Sequence, residues 1–210
     1  MNCWVCKKKK LDNYQKIIQH LVHLVETHGI PRELIYEWID NQPKMSEIIQ
    51  QQDTRREFVN TLNELAEKDK GIIVIIPDVG FNYLNDPNLN FKVLNLGVTE
   101  QSSMIIAAAL ALSGFKPYIY SMIPFITFRV HEMIRNAVCM HKANVKILGV
   151  KGSEKYKMLG FSHNLLRENE EVDFLSKLPG MKCYLPKTNE EVKKVILKSY
   201  QELGPAYLRL

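Results

Sequence analysis

Gly71-Ile72-Ile73-Val74-Ile75-Ile76-Pro77-Asp78 places an unbroken apolar run between a glycine and a Pro-Asp turn signal. The run has strand length, and a strand apolar on both faces needs cover on both faces, which is the mark of a central strand in a parallel sheet. Upstream, Thr54-Arg55-Arg56-Glu57 reads as a capping box opening a helix with Phe58, Leu62 and Leu65 on one face. Downstream, the pattern predicts a strand over 92–96 and a helix capped by Thr99 and stopped at Gly114. A strand over 118–121, a helix over 125–140 and a strand over 145–150 follow. Residues 170–178 read as a helix and 181–185 as a strand. Thr188-Asn189-Glu190-Glu191 is a second capping box, opening a helix to about residue 202, and 206–210 form a last strand. Each parallel connection needs a crossover, so the fold class is α/β, a doubly wound parallel sheet with helices on both faces.

Ahead of this domain, Ile17, Ile18, Leu21, Leu24 and Val25, then Leu34, Ile35, Trp38 and Ile39, fall at helical spacing around a break at Gly29 and Pro31. The expected organisation is a helical extension over 1–52 and a domain over 53–210. A chain of 210 residues, 46% hydrophobic and 24% charged, has room for one good-sized domain and an appendage, and its composition excludes disordered and collagen-like classes. The longest apolar runs, 71–76 and 104–112, are far short of a bilayer span, so no membrane partner and a cytoplasmic location are expected. The net charge is +5, but Lys7 to Lys10 supply four of it and the rest of the chain holds 24 basic against 23 acidic groups. That near-neutral body argues against nucleic acid as a partner. Cysteines at 3, 6, 139 and 183 do not have the spacing of a disulfide scaffold, which fits a reducing compartment.

In a doubly wound sheet ligands bind beyond the carboxyl ends of the strands, which directs attention to residues 77–90, 97–100, 121–129 and 151–164. No Gly-x-Gly-x-x-Gly or Walker loop occurs there. The most specific stretch is Leu96-Gly97-Val98-Thr99-Glu100-Gln101, followed by the small-residue run of 107–114. Glu100 has two readings from the residues alone. It is an acid favoured by the helix dipole, or a carboxylate held at the sheet mouth to accept a hydrogen bond from a heterocyclic ligand. Phe125 and Phe128 likewise fit ordinary core positions of a helix.

Gly97-Val98-Thr99-Glu100-Gln101, Pro124-Phe125-Ile126-Thr127-Phe128-Arg129, Glu132-Met133-Ile134-Arg135-Asn136, Leu178-Pro179-Gly180-Met181 and Gly204-Pro205-Ala206-Tyr207-Leu208-Arg209 occur in an order that resembles the transketolase-family pyrimidine-binding domain of thiamine-diphosphate enzymes. The resemblance covers about residues 54–210. It implies that Glu100 hydrogen-bonds N1′ of the aminopyrimidine and favours its imino tautomer, and that Phe125 and Phe128 wall the ring. It places Asp78 near cofactor and substrate, His163 as a catalytic, substrate-contacting group, and Arg55 on a sugar phosphate. The family's diphosphate site, with Mg²⁺ and a Gly-Asp-Gly, lies on another domain, and this sequence contains no Gly-Asp-Gly. The implied partner is a separate diphosphate-binding transketolase-like subunit, in a homodimer or heterotetramer, acting on a sugar or oxoacid by ketol or acyl transfer. One departure stands out: Tyr156-Lys157-Met158-Leu159 replaces the family's Gly-Glu-Asp ahead of the histidine motif. That keeps open the alternative of a non-catalytic transketolase-like binding or regulatory protein.

Cys3-x-x-Cys6 with His20, His23 and His28 approaches a two-Cys, two-His zinc spacing without meeting it. Cys6 to His20 leaves 13 residues, but His20 and His23 are separated by only two.

Overall fold

The apolar run forms β1 (Ile72–Ile76), buried along its whole length, in a computed structural model of the chain. The described residues are 53–77, 83–151 and 154–210, with Pro31. The chain divides into two compact units, Met1–Asp53 and Thr54–Leu210. The expected hairpin over 11–52, the Cys3, Cys6, His20, His23 and His28 spacing, and Asp78 lie outside the described residues.

Six strands make the second unit's sheet: β1, β2 (Lys92–Asn95), β3 (Lys116–Met122), β4 (Lys146–Val150), β5 (Lys182–Tyr184) and β6 (Ala206–Arg209), in the order β2-β1-β3-β4-β6-β5. Every pairing is parallel, with Val74 beside Val93 and Tyr118, Tyr120 beside Leu148, and Leu148 beside Leu208. The period of two sends Ile72, Val74 and Ile76 to one face and Ile73 and Ile75 to the other. The first face is covered by α1 (Thr54–Lys68), through Phe58, Leu62 and Ala66, and by the late helix Asn189–Gln201, through Val192 and Ile196. Against the second face lie α2 (Glu100–Leu112), through Met104, Ala107 and Ala108, with Ile134, Val138 and Leu175 from the segments that follow. Among the described residues no helix is long and apolar enough to cross a membrane.

The second capping motif forms with Thr188 as the cap: Thr188 Oγ1 accepts from Glu191 N at 3.2 Å, while the Glu191 carboxylate reaches past the cap and accepts from Lys187 N at 2.6 Å. The single helix expected over 125–140 does not form. It is replaced by α3 (Ile123–Ile126), a break, and α4 (His131–Met133), which runs directly into a π-helical stretch, Ile134–Cys139. Pro124 suits a first helical turn and starts α3 early. Thr127 then ends it, with φ −122° and ψ −73°, its hydroxyl donating to the Ile123 carbonyl at 2.6 Å. Arg129 N reaches Pro124 O at 3.2 Å across this break. The interruption lies at the carboxyl edge of the sheet, beside the strand β3 whose neighbour β1 connects in the opposite direction. That is the switch point at which doubly wound sheets bind ligands.

Candidate functional site

β2 leaves the sheet with Leu96 N bonded to Ile76 O at 3.0 Å, and the chain turns at Gly97, whose φ of +70° favours glycine. Gly97 N donates to Asn95 Oδ1 at 3.0 Å and Thr99 N to Gly97 O at 2.8 Å, which fixes the start of α2 at Glu100. Thr99 occupies the cap position but does not cap. Its hydroxyl donates back to the Leu96 carbonyl at 2.8 Å and meets Ser103 Oγ at 3.2 Å, because the tight Gly97 turn brings that carbonyl within reach first.

Glu100 is therefore held at the mouth of the sheet with only 4% of its side chain exposed. A helix N-terminus favours the negative charge, but a carboxylate this buried needs a partner. It has one in Arg129, whose guanidinium donates from one amino group to Glu100 Oε1, while 42% of the arginine side chain remains in solvent. Gln101 Nε2 donates to the Arg129 carbonyl at 3.3 Å, tying the break after α3 to the first turn of α2. The same guanidinium lies over the buried Phe125 ring, with its carbon 4.2 Å from the centroid. The His163 ring meets Phe125 edge-on, centroids 4.9 Å apart, and His163 Nδ1 is 2.7 Å from Ser162 Oγ.

The structure thus brings together Glu100, Phe125 and His163, with Arg129 linking the first two. Phe128 joins a different ring cluster, 5.2 Å from Phe174 of α5 (Glu170–Leu175), which also takes His131 edge-on at 4.7 Å. Arg55 stands in the first turn of α1, on the sheet face opposite α2. Arg129 was present in the sequence without a readable role, since only the break in the expected helix turns it toward Glu100.

A second buried carboxylate also lacked a sequence signal. Glu171, in the first turn of α5, is fully buried and accepts from Tyr207 Oη at 2.9 Å and from Arg209 Nε at 2.8 Å, both from β6. Arg209 continues to Glu168 at 2.7 Å and Asn169 at 2.9 Å. Burial first, and the carboxylate next to it second, push the Tyr207 phenol well above its ordinary value. Room for this tyrosine comes from Gly149, where a Cβ would stand 2.6 Å from the phenol oxygen. Among the described residues no three His, Cys, Asp or Glu side chains gather as a metal-binding group.

Residues 50–210 match the family model described as the transketolase pyrimidine binding domain. The chain is 34% identical over 161 residues to one of the subunits of apulose-4-phosphate transketolase from Phocaeicola vulgatus, covering 74% of this chain and 50% of that one. It is 26% identical to a 6-deoxy-6-sulfo-D-fructose transketolase subunit of a Clostridium species, over 74% and 48% of the two chains. A solved structure described as a split gene transketolase, inactive beta4 tetramer, superposes with a TM-score of 0.65 at 28% identity, over 75% of this chain and 50% of that chain. The chain thus spans about half the length of these relatives. With the family's domain matched over most of the chain, on an all-parallel sheet that holds a buried glutamate at its mouth, the chain belongs to the transketolase pyrimidine-binding-domain family.

Proposed function

We propose that this chain is the pyrimidine-binding half of a split transketolase-like thiamine-diphosphate enzyme, whose diphosphate and Mg²⁺ are held by a separate subunit. The observation that carries the reading is Glu100, a 4%-exposed carboxylate at a helix start beside the Phe125 ring. An acceptor and a flat apolar face, side by side, fit an aminopyrimidine, so the residues present suit the group. When bound, the cofactor supplies the carbanion chemistry of ketol or acyl transfer. Glu100 would hydrogen-bond the ring nitrogen N1′ and share the proton that sets the ring's tautomer. Phe125 presents its face, and His163, with Nδ1 held by Ser162, contacts substrate. Asp78 and Arg55 complete the substrate side, Arg55 for a sugar phosphate. The apolar side of α2 left exposed, with Ile105, Ile106 and Leu112, gives a surface for the second subunit. Residues 1–52 form an extension outside this domain. The free thiols Cys139 and Cys183 suit a cytoplasmic enzyme.

A second reading, a non-catalytic relative, is favoured by the loop before His163, where Met158, in the stretch that replaces the family's acidic turn, stands 84% exposed. Affinity purification of the full chain, with mass spectrometry of its partners and calorimetric titration of thiamine diphosphate with Mg²⁺, separates the two. The enzyme reading expects a partner carrying a diphosphate-binding motif and cofactor bound only by the complex. A chain that brings down no such partner and binds no cofactor refutes it.

A further inference from the structure

We propose that Arg129 is a placeholder, a planar cation that fills the cofactor's seat in the free subunit and has to swing out before the aminopyrimidine can enter. The inference rests on the pyrimidine-binding reading above.

Three features of the arginine carry it. First, one guanidinium uses both parts of the seat at once, donating to Glu100 Oε1 and stacking on Phe125 with its carbon 4.2 Å from the centroid. An aminopyrimidine is likewise flat with donors on its edge, and the two groups compete for the same carboxylate and the same ring. Second, the pair is lopsided, with Glu100 4% and Arg129 42% exposed. A buried carboxylate left without a partner is costly, whereas a half-solvated arginine returns to water easily, so the contact satisfies Glu100 and yields to a better occupant. Third, the backbone is pinned while the side chain is not. Arg129 N bonds Pro124 O at 3.2 Å and Arg129 O accepts from Gln101 at 3.3 Å, which leaves rotation about the side-chain bonds as the means of exit.

The test uses the full chain purified with its partner subunit and titrates thiamine diphosphate at saturating Mg²⁺ by calorimetry, for the wild type, Arg129→Met and Arg129→Lys. The Met variant is expected to bind at least about fivefold more tightly, since no ion pair has to break, and the Lys variant, which keeps the charge but loses the stacking, to fall between. In parallel, the ¹⁵N resonance of the Arg129 Nη1 group in the wild-type complex is expected to shift and lose exchange protection on saturation with cofactor. Equal binding by Arg129→Met while the wild type binds overturns the placeholder alone, and weaker binding overturns it by making Arg129 part of the cofactor's seat. Absence of binding by the wild type and both variants overturns the pyrimidine-binding reading, and the placeholder with it.

Discussion

Two buried glutamates stand at helix starts along the carboxyl edge of the same sheet, each joined to an arginine, and their surroundings are opposite. Glu171 is fully buried and its arginine only 12% exposed. Tyr207 and two nitrogens of Arg209 converge on one carboxylate oxygen, and Arg209 is itself held by Glu168 and Asn169. Glu100 is nearly as buried, but its arginine is 42% exposed and comes from a break between two short helices. The helix dipole favours both acids equally and so explains neither difference. What separates the two pairs is how far each arginine is held in the protein, with Arg209 12% and Arg129 42% exposed.

The sharpest way to break this contrast is Glu100→Gln. The amide cannot hold the ring proton, so turnover of the reconstituted complex is expected to fall by about 10²–10⁴, while urea unfolding stays within about 1 kcal/mol of wild type. Activity close to wild type would sever Glu100 from the chemistry. Arg209→Met probes the closed cluster and should do the reverse. It leaves Glu171 buried with Tyr207 as its one remaining hydrogen-bond donor among the described residues, at a cost of about 3–5 kcal/mol in the same urea measurement. A loss no larger than that of Arg129→Met would show that the two pairs are alike after all.

Much of this was legible in the sequence, and the limits have physical causes. The apolar run 72–76, the alternation of strand and helix, and the Thr188 cap are local patterns, and all three appear in the structure. The position of Glu100 followed from Gly97 and the start of α2. The 125–140 segment misled because its apolar spacing is helical throughout. The break arises where Thr127 bonds its own helix's carbonyl and Arg129 N reaches Pro124 O at 3.2 Å, local bonds that the apolar spacing does not encode. Arg129 and the Glu171 cluster stayed hidden for a different reason: both join residues 29 or more positions apart, a proximity that only the folded sheet creates.

Smaller effects sharpen the closed cluster's description. Gly149→Ala pushes a methyl against the Tyr207 ring and hydroxyl, at 2.8 and 2.6 Å, and against Ile123 at 3.0 Å. With backbone strands on either side there is little room to yield, so a loss of about 1–3 kcal/mol is expected in urea unfolding. It should shrink in a Tyr207→Phe background, where the closest atom is gone.

The rim of that cluster gives the smallest effect and a signed pH dependence. Glu168 is held below its ordinary value of 4.5 chiefly by the hydrogen bond from Lys151, with Arg209 adding to it. A carboxylate whose folded value is depressed contributes its full stabilisation above the unfolded value and loses it as the pH falls through the folded one. Wild-type stability should therefore exceed that of Glu168→Gln at pH 7 and converge with it below pH 4.5. Because the Glu168 side chain is 59% exposed, water and salt screen the interaction, and the gap at pH 7 should be only about 0.2–1 kcal/mol. Repeating the comparison in 0.5 M NaCl should narrow that gap further. A gap of several kcal/mol that ignored salt would place Glu168 inside the buried network with Glu171, and the boundary between the closed cluster and its solvated rim would have to be redrawn.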